Sequence, residues 1–175
     1  MISTFIIENS VLVRIAIAVA VALSIVVAAL LVRAGLTGRK IAGVLGGIAT
    51  LVVLGLTFAP DKYPLPAATC SLEAHSFYTD YLNVTLFYLP VLFAVIATRS
   101  PWTVLAFGVG MSAAIEAIQA ALPVLGRRCD LNDWATNSFG TLLGVLVGFV
   151  VILVVTRLRS RAAAAAATAD ALPRA

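Results

Sequence analysis

Five apolar runs, interrupted by short polar stretches, organise the chain. They occupy residues 15–32, 41–59, about 81–98, about 101–122 and about 133–156. Each approaches the roughly 20 residues that an α-helix needs to cross the hydrocarbon core of a bilayer. Backbone polar groups in lipid must be satisfied within the segment, so the runs are predicted to be helices. A membrane barrel would show alternating segments of about ten residues, and none occurs. Only Arg99 and Ser100 separate the third run from Pro101 at the start of the fourth, which predicts a tight re-entry. The predicted fold class is all-α: a polytopic transmembrane helical bundle of about five membrane-spanning helices.

Composition narrows the class further. Of 175 residues, 62% are hydrophobic and 11% charged, against about 25% charged in a soluble domain, so no soluble core of this length would hide the apolar surface. The net charge of +4 does not point to nucleic acid, because the basic residues are spread along loop ends with no aromatic or Gly-rich binding pattern. They read as topology determinants. Arg33, Arg39 and Lys40 lie between spans one and two, Arg99 between three and four, and Arg157, Arg159, Arg161 and Arg174 after five. The opposite side holds Arg14, Lys62, Arg127 and Arg128 together with Glu8, Asp61, Glu73, Asp80, Asp130 and Asp133. The positive-inside rule then predicts the N-terminus outside and the C-terminus cytoplasmic. The first run exceeds the roughly 7–15 residues of a signal-peptide core, and Glu8 stands where a basic flank belongs, so it reads as a retained helix.

The longest predicted loop, about residues 60–80, is external and made irregular by Pro60, Pro64 and Pro66; His75 reads as a solvated residue of it. Cys70 in this loop and Cys129 between spans four and five fall on one side, where an extracytoplasmic setting permits a disulfide; two free thiols are the alternative. The expected organisation is an extra N-terminal helix and cytoplasmic turn (1–40), a transmembrane domain (41–156) and an Ala-rich low-complexity cytoplasmic tail (157–175), read as a frayed helical extension.

Polar side chains gather in one hairpin. On span four, Gly108, Ser112, Glu116 and Gln119 recur at spacings of four, four and three; on span five, Asp133, Asn137, Gly140, Gly144 and Gly148 do the same. Such intervals share a helix face. The connection between the helices is short, so they are expected to be antiparallel neighbours, with Gln119 level with Asp133, Glu116 with Asn137, Ser112 with Gly140 and Gly108 with Gly144. The Gly140, Gly144, Gly148 ladder is a small-xxx-small packing pattern, and Gly43-x3-Gly47 is a weaker one. Glu116 is harder to explain by packing: a charge at mid-helix costs on the order of 2.5–3.5 kcal/mol to insert. On span three, Asn83, Phe87 and Pro90 share a face; Pro90 is expected to kink the helix and Asn83 to complete the cluster. Arg14 is expected to snorkel to the interface.

These residues carry a resemblance. Glu116-x2-Gln119, then Gly126-Arg127-x2-Asp130-x2-Asp133-x3-Asn137-x2-Gly140-x3-Gly144, resembles the VanZ-like family of bacterial membrane proteins. Asn83-x3-Phe87-x2-Pro90 and Thr57-Phe58-Ala59-Pro60 are similar to two further family stretches, so that the likeness covers about residues 41–155. Val91 stands where the family commonly has glycine, and span one looks like an addition to a four-helix core. The resemblance implies a multi-pass protein of the bacterial plasma membrane, with a role in teicoplanin-type glycopeptide resistance as an expectation drawn from the family's name.

Three functional readings follow. The preferred one is a binding site at the outer leaflet for a membrane lipid or lipid-linked cell-wall precursor, with Arg127 and Arg128 meeting a phosphate. Asn83, Glu116, Gln119, Asp130, Asp133 and Asn137 would complete it. The second is a membrane-embedded enzyme acting on a lipid, with Glu116 and Asp133 as candidate catalytic groups; a divalent cation on the carboxylates belongs to this reading alone, and otherwise no cofactor or metal is expected. The third is a structural module, with hydrogen bonds across the hairpin acting as glue and an envelope protein or a second copy as partner.

Overall fold

The computed structural model describes residues 9–60, 70–71 and 81–170. Five helices follow one another: α1 (Ser10–Arg33), α2 (Gly35–Thr57), α3 (Tyr81–Thr98), α4 (Pro101–Ala121) and α5 (Leu131–Asp170). Two short extended segments, β1 (Cys70–Ser71) and β2 (Cys129–Asp130), pair in parallel, and a 3₁₀ turn covers Pro123–Leu125. All five helices are long and apolar enough to cross a membrane, and the chain is a helical membrane bundle.

Local chemistry sets the breaks. Gly35 joins α1 to α2 with a left-handed φ of 65°, which glycine adopts without a Cβ clash. Pro101 opens α4 at a first-turn position, where its missing N–H removes no helical bond. Pro123 follows α4, and a residue before proline is pushed out of the helical region, so the helix stops by Leu122. Nothing comparable interrupts α5. Its 40 residues run on through the arginines and alanines at 157–170, so the low-complexity stretch continues span five as a helical extension. At 1.5 Å per residue the helix is about 60 Å long, roughly twice the hydrocarbon thickness, so one end projects from the bundle. The expected loop residue His75 lies outside the described residues.

α3 is the centre of the bundle and touches all four other helices. Its Tyr88, Leu92 and Ile96 pack with Ala28 and Leu31 of α1, Ala42 of α2 and Val151 of α5. A second cluster joins Val91 and Val95 of α3 to Val104 of α4 and Val145 of α5. Pro90 lies inside α3 and lacks the N–H that would bond the carbonyl one turn back. α2 lies close to this point, and a Cβ on Gly46 would stand 3.4 Å from the Pro90 carbonyl oxygen.

The glycine ladder of α5 faces α3, where the sequence spacing pairs it with α4. A Cβ on Gly140 would collide with the Val84 carbonyl, and one on Gly144 would lie 2.7 Å from the Tyr88 carbonyl oxygen. On Gly148 it would lie 3.0 Å from the Val95 side chain. The reason is geometric: α5 has two inward faces, and the glycines occupy the one against which backbone approaches closest. Of the weaker pair on α2, a Cβ on Gly43 would lie 3.8 Å from Ala97 Cβ, an ordinary contact distance, and Gly47 faces open space.

Helix ends are tied by arginines from neighbouring helices. Arg39 Nε donates to the Ala97 carbonyl at 2.9 Å, and Arg159 Nη1 donates to the Arg33 carbonyl at 3.1 Å. Each places a cation at a C-terminus, where unsatisfied carbonyls and the helix dipole favour it.

Candidate functional site

α4 and α5 run antiparallel and in contact. A Cβ on Gly108 would lie 2.6 Å from Thr141 Cγ2, so Gly108 stands opposite Thr141, three positions from the expected Gly144. One turn toward the connecting loop, the same register brings Ser112 level with Asn137. The next turn brings Glu116 to the start of α5. The offset arises in the connection, where the 3₁₀ turn, Gly126 in a left-handed conformation and the β2 segment consume the chain before α5 begins.

Glu116 is buried, and its Oε2 accepts a hydrogen bond from the Asp130 backbone N–H at 2.7 Å. Asp130 is also the residue before α5, and its Oδ1 accepts from the Asn132 N–H at 2.8 Å, an N-cap bond that satisfies an orphan amide of the first turn. Asp133 Oδ1 accepts from Asn83 Nδ2 at 2.6 Å, which ties α3 to α5. Asp130 and Asp133 both stand near enough to Glu116 to act on its charge.

The remaining predicted residues go elsewhere. Gln119 Nε2 donates to the Thr57 carbonyl at 3.0 Å, and Arg127 donates to the Ala59 and Leu56 carbonyls at 3.3 and 3.5 Å. Both therefore fasten the C-terminal end of α2 to the hairpin. Arg128 is exposed. Arg14 lies over the Tyr81 ring, 5.5 Å from its centroid, a cation–π contact at the start of α3. Asn83, Glu116, Asp130 and Asp133 are thus brought together, while Gln119 and Arg127 act as ties to α2.

Asn137 is 4% exposed, and its Oδ1 has no hydrogen-bond partner. Ser112 Oγ and Thr141 Oγ1 are in the same condition, both on fully buried residues. Other helix hydroxyls, among them Thr50, Thr57, Thr85, Thr98 and Thr136, bond the carbonyl one turn back. Ser112 and Thr141 do not, so a polar seam runs inward from Glu116 between α4 and α5. It ends at the valine cluster of Val91, Val95, Val104 and Val145.

A groove of about 370 Å³ opens beside Glu116. Its walls are Cys70, Ala113, Ala117, Cys129, Leu131 and Trp134, with Glu116 and Asp130 as the charged members. Cys70 and Cys129 form a disulfide with a Cα–Cα distance of 4.4 Å, next to the pairing of Ser71 with Asp130. The bond holds β1 against the groove. Trp134 Nε1 is buried without a partner. Trp134 and Thr141 do not stand out from helical spacing. Trp134 carries the signal of an aromatic near a span end, and Thr141 lies four residues after Asn137, where the three-residue step to Gly140 drew attention instead. Among the described residues no group of three or more His, Cys, Asp or Glu is arranged to hold a metal ion.

No curated protein and no solved structure matches the chain. One family model does, VanZ/LLP1, over residues 47–154, which takes in the C-terminal half of α2, all of α3 and α4, and α5 as far as Val154. The site residues described above, from Asn83 to Thr141, all lie within that stretch, whereas α1 precedes it. The chain belongs to the VanZ/LLP1 family, as a member that crosses the membrane several times.

Proposed function

We propose that this VanZ/LLP1 protein binds a phosphate-bearing lipid or lipid-linked cell-wall precursor at the outer leaflet of the bacterial plasma membrane. The observation that carries the reading is the groove beside Glu116, which joins apolar walls to two carboxylates and an indole. That combination suits an amphiphile, since apolar lining holds a chain and a few convergent polar groups orient a head. Hydroxyl or amide groups on the head would donate to Glu116 or Asp130, against the Trp134 ring. Arg128, exposed on the loop before Asp130, would meet the phosphate as a charge-assisted partner. Arg127 is less suited, because two of its nitrogens hold α2.

Two features support placing the groove outside. The basic residues at 33–40, 99 and 157–161 stand at the opposite end of the bundle, as expected of a cytoplasmic face. A disulfide at the groove suits an oxidising compartment. A role in teicoplanin-type resistance belongs to the same proposal, since capture of a cell-wall precursor would alter what a glycopeptide meets.

Native mass spectrometry of the purified protein tests the reading. Wild type is expected to retain a lipid or polyprenyl-phosphate mass that Trp134→Ala and Arg128→Gln release. Identical retained masses in all three would overturn it.

A further inference from the structure

We propose that Arg39 and Arg99 form an anion site for phosphate at the other end of the bundle, where α1 and α3 finish, occupied in a membrane by the headgroup of an anionic phospholipid. The proposal is independent of the groove, which lies at the opposite ends of α4 and α5.

Arg39 sits in the second turn of α2, and its Nε bond to the Ala97 carbonyl lays the guanidinium against the last turn of α3. Arg99 follows two residues after Ala97, partly buried, in a left-handed conformation with φ 61°. Glycine adopts that conformation freely and arginine does not, so the fold keeps a charged side chain here at a backbone cost. The Arg39 bond to Ala97 brings its charge to the turn that carries Arg99, and burial together with that charge lowers the Arg99 pKa. Neither the 33–40 turn, the 99–100 turn nor the 157–161 stretch contains an Asp or Glu. The described carboxylates of Glu116, Asp130 and Asp133 are gathered around the groove.

Among the described residues no carboxylate pairs with Arg39 or Arg99, which leaves both guanidinium groups open to an external anion. Phosphate fits best, because the planar fork of arginine matches its oxygens in pairs. The unpaired amides at the start of α4 add favourable potential, since that helix has neither an acidic first turn nor a side-chain cap. Lys40 and Arg33 lie in the same turn between α1 and α2 and enlarge the positive field. Diffuse attraction of basic residues to a membrane surface differs from this: here one cation is held by a backbone bond, and the other is carried on the turn two residues beyond the carbonyl that holds it.

The test uses the purified full chain in neutral detergent with phosphatidylglycerol or phosphatidylcholine, each with and without inorganic phosphate, read by native mass spectrometry. Wild type is expected to retain phosphatidylglycerol about tenfold better than phosphatidylcholine. Arg99→Gly removes the charge while suiting the backbone, so its thermal stability is expected to hold while the preference disappears. Arg39→Gln is expected to lose the preference too, with some loss of stability from the released Ala97 carbonyl. Displacement of lipid by inorganic phosphate assigns the site to the free anion as well; persistence assigns it to the lipid. Equal retention of both lipids by wild type, or an unchanged preference in Arg99→Gly, overturns the proposal.

Discussion

Glu116 Oε2 accepts the backbone N–H of Asp130 at 2.7 Å, so the one acidic side chain of α4 is anchored to the residue that caps α5. A carboxylate fourteen positions back in the chain thereby sets where the last helix begins. The bond also brings Glu116 to the edge of the groove beside the disulfide.

Truncating that carboxylate strands a partly buried amide. Glu116→Ala is expected to lower stability by about 1–3 kcal/mol, whereas Glu116→Gln, which keeps an acceptor oxygen, costs about 1 kcal/mol or less. Thermal unfolding in detergent, followed by circular dichroism, distinguishes the two; equal losses would mean that the acceptor is not what matters.

The close approach of α3 and α5 predicts a contrast among glycines. Gly140→Ala and Gly144→Ala each place a methyl against a backbone carbonyl of α3 and are expected to cost about 1–3 kcal/mol. Gly47→Ala and Gly110→Ala meet open space and gain helix propensity, so they are expected to be neutral or to stabilise by up to about 1 kcal/mol. Melting temperatures of the four variants decide it.

The two loop arginines should separate cleanly. Arg127→Ala frees the terminal carbonyls of α2 and is expected to lower stability by about 1 kcal/mol, while exposed Arg128→Ala leaves it unchanged. A comparable loss from both substitutions would contradict the cap.

Replacing both cysteines by alanine removes a crosslink between positions 59 apart. Such a bridge typically contributes about 2–4 kcal/mol, so the variant should unfold at a lower temperature. Wild type treated with reductant should fall to the same value, and the variant should not respond.

The polar seam can be interrogated by removing its unpartnered hydroxyls. Thr141→Val and Ser112→Ala delete groups without a protein partner, and stability is expected to stay level or rise by up to about 1 kcal/mol. A loss above about 1 kcal/mol in both would show that the seam holds an occupant bonded to them.

Hydrophobic run length alone sets the membrane class, the five helices and most of their limits, because lipid leaves the backbone so few ways to satisfy its polar groups. Helical spacing alone likewise shows that Ser112, Glu116 and Gln119 share a face, as do Gly140, Gly144 and Gly148. Spacing identifies a face without naming its neighbour. The three-dimensional fold decides that the glycines meet α3 while Thr141 meets Gly108, because close approach depends on which backbones lie against each other across the bundle. It also decides that Gln119 and Arg127 hold α2, a helix remote in sequence, since an orphan carbonyl at a helix end takes whichever donor the packing brings near.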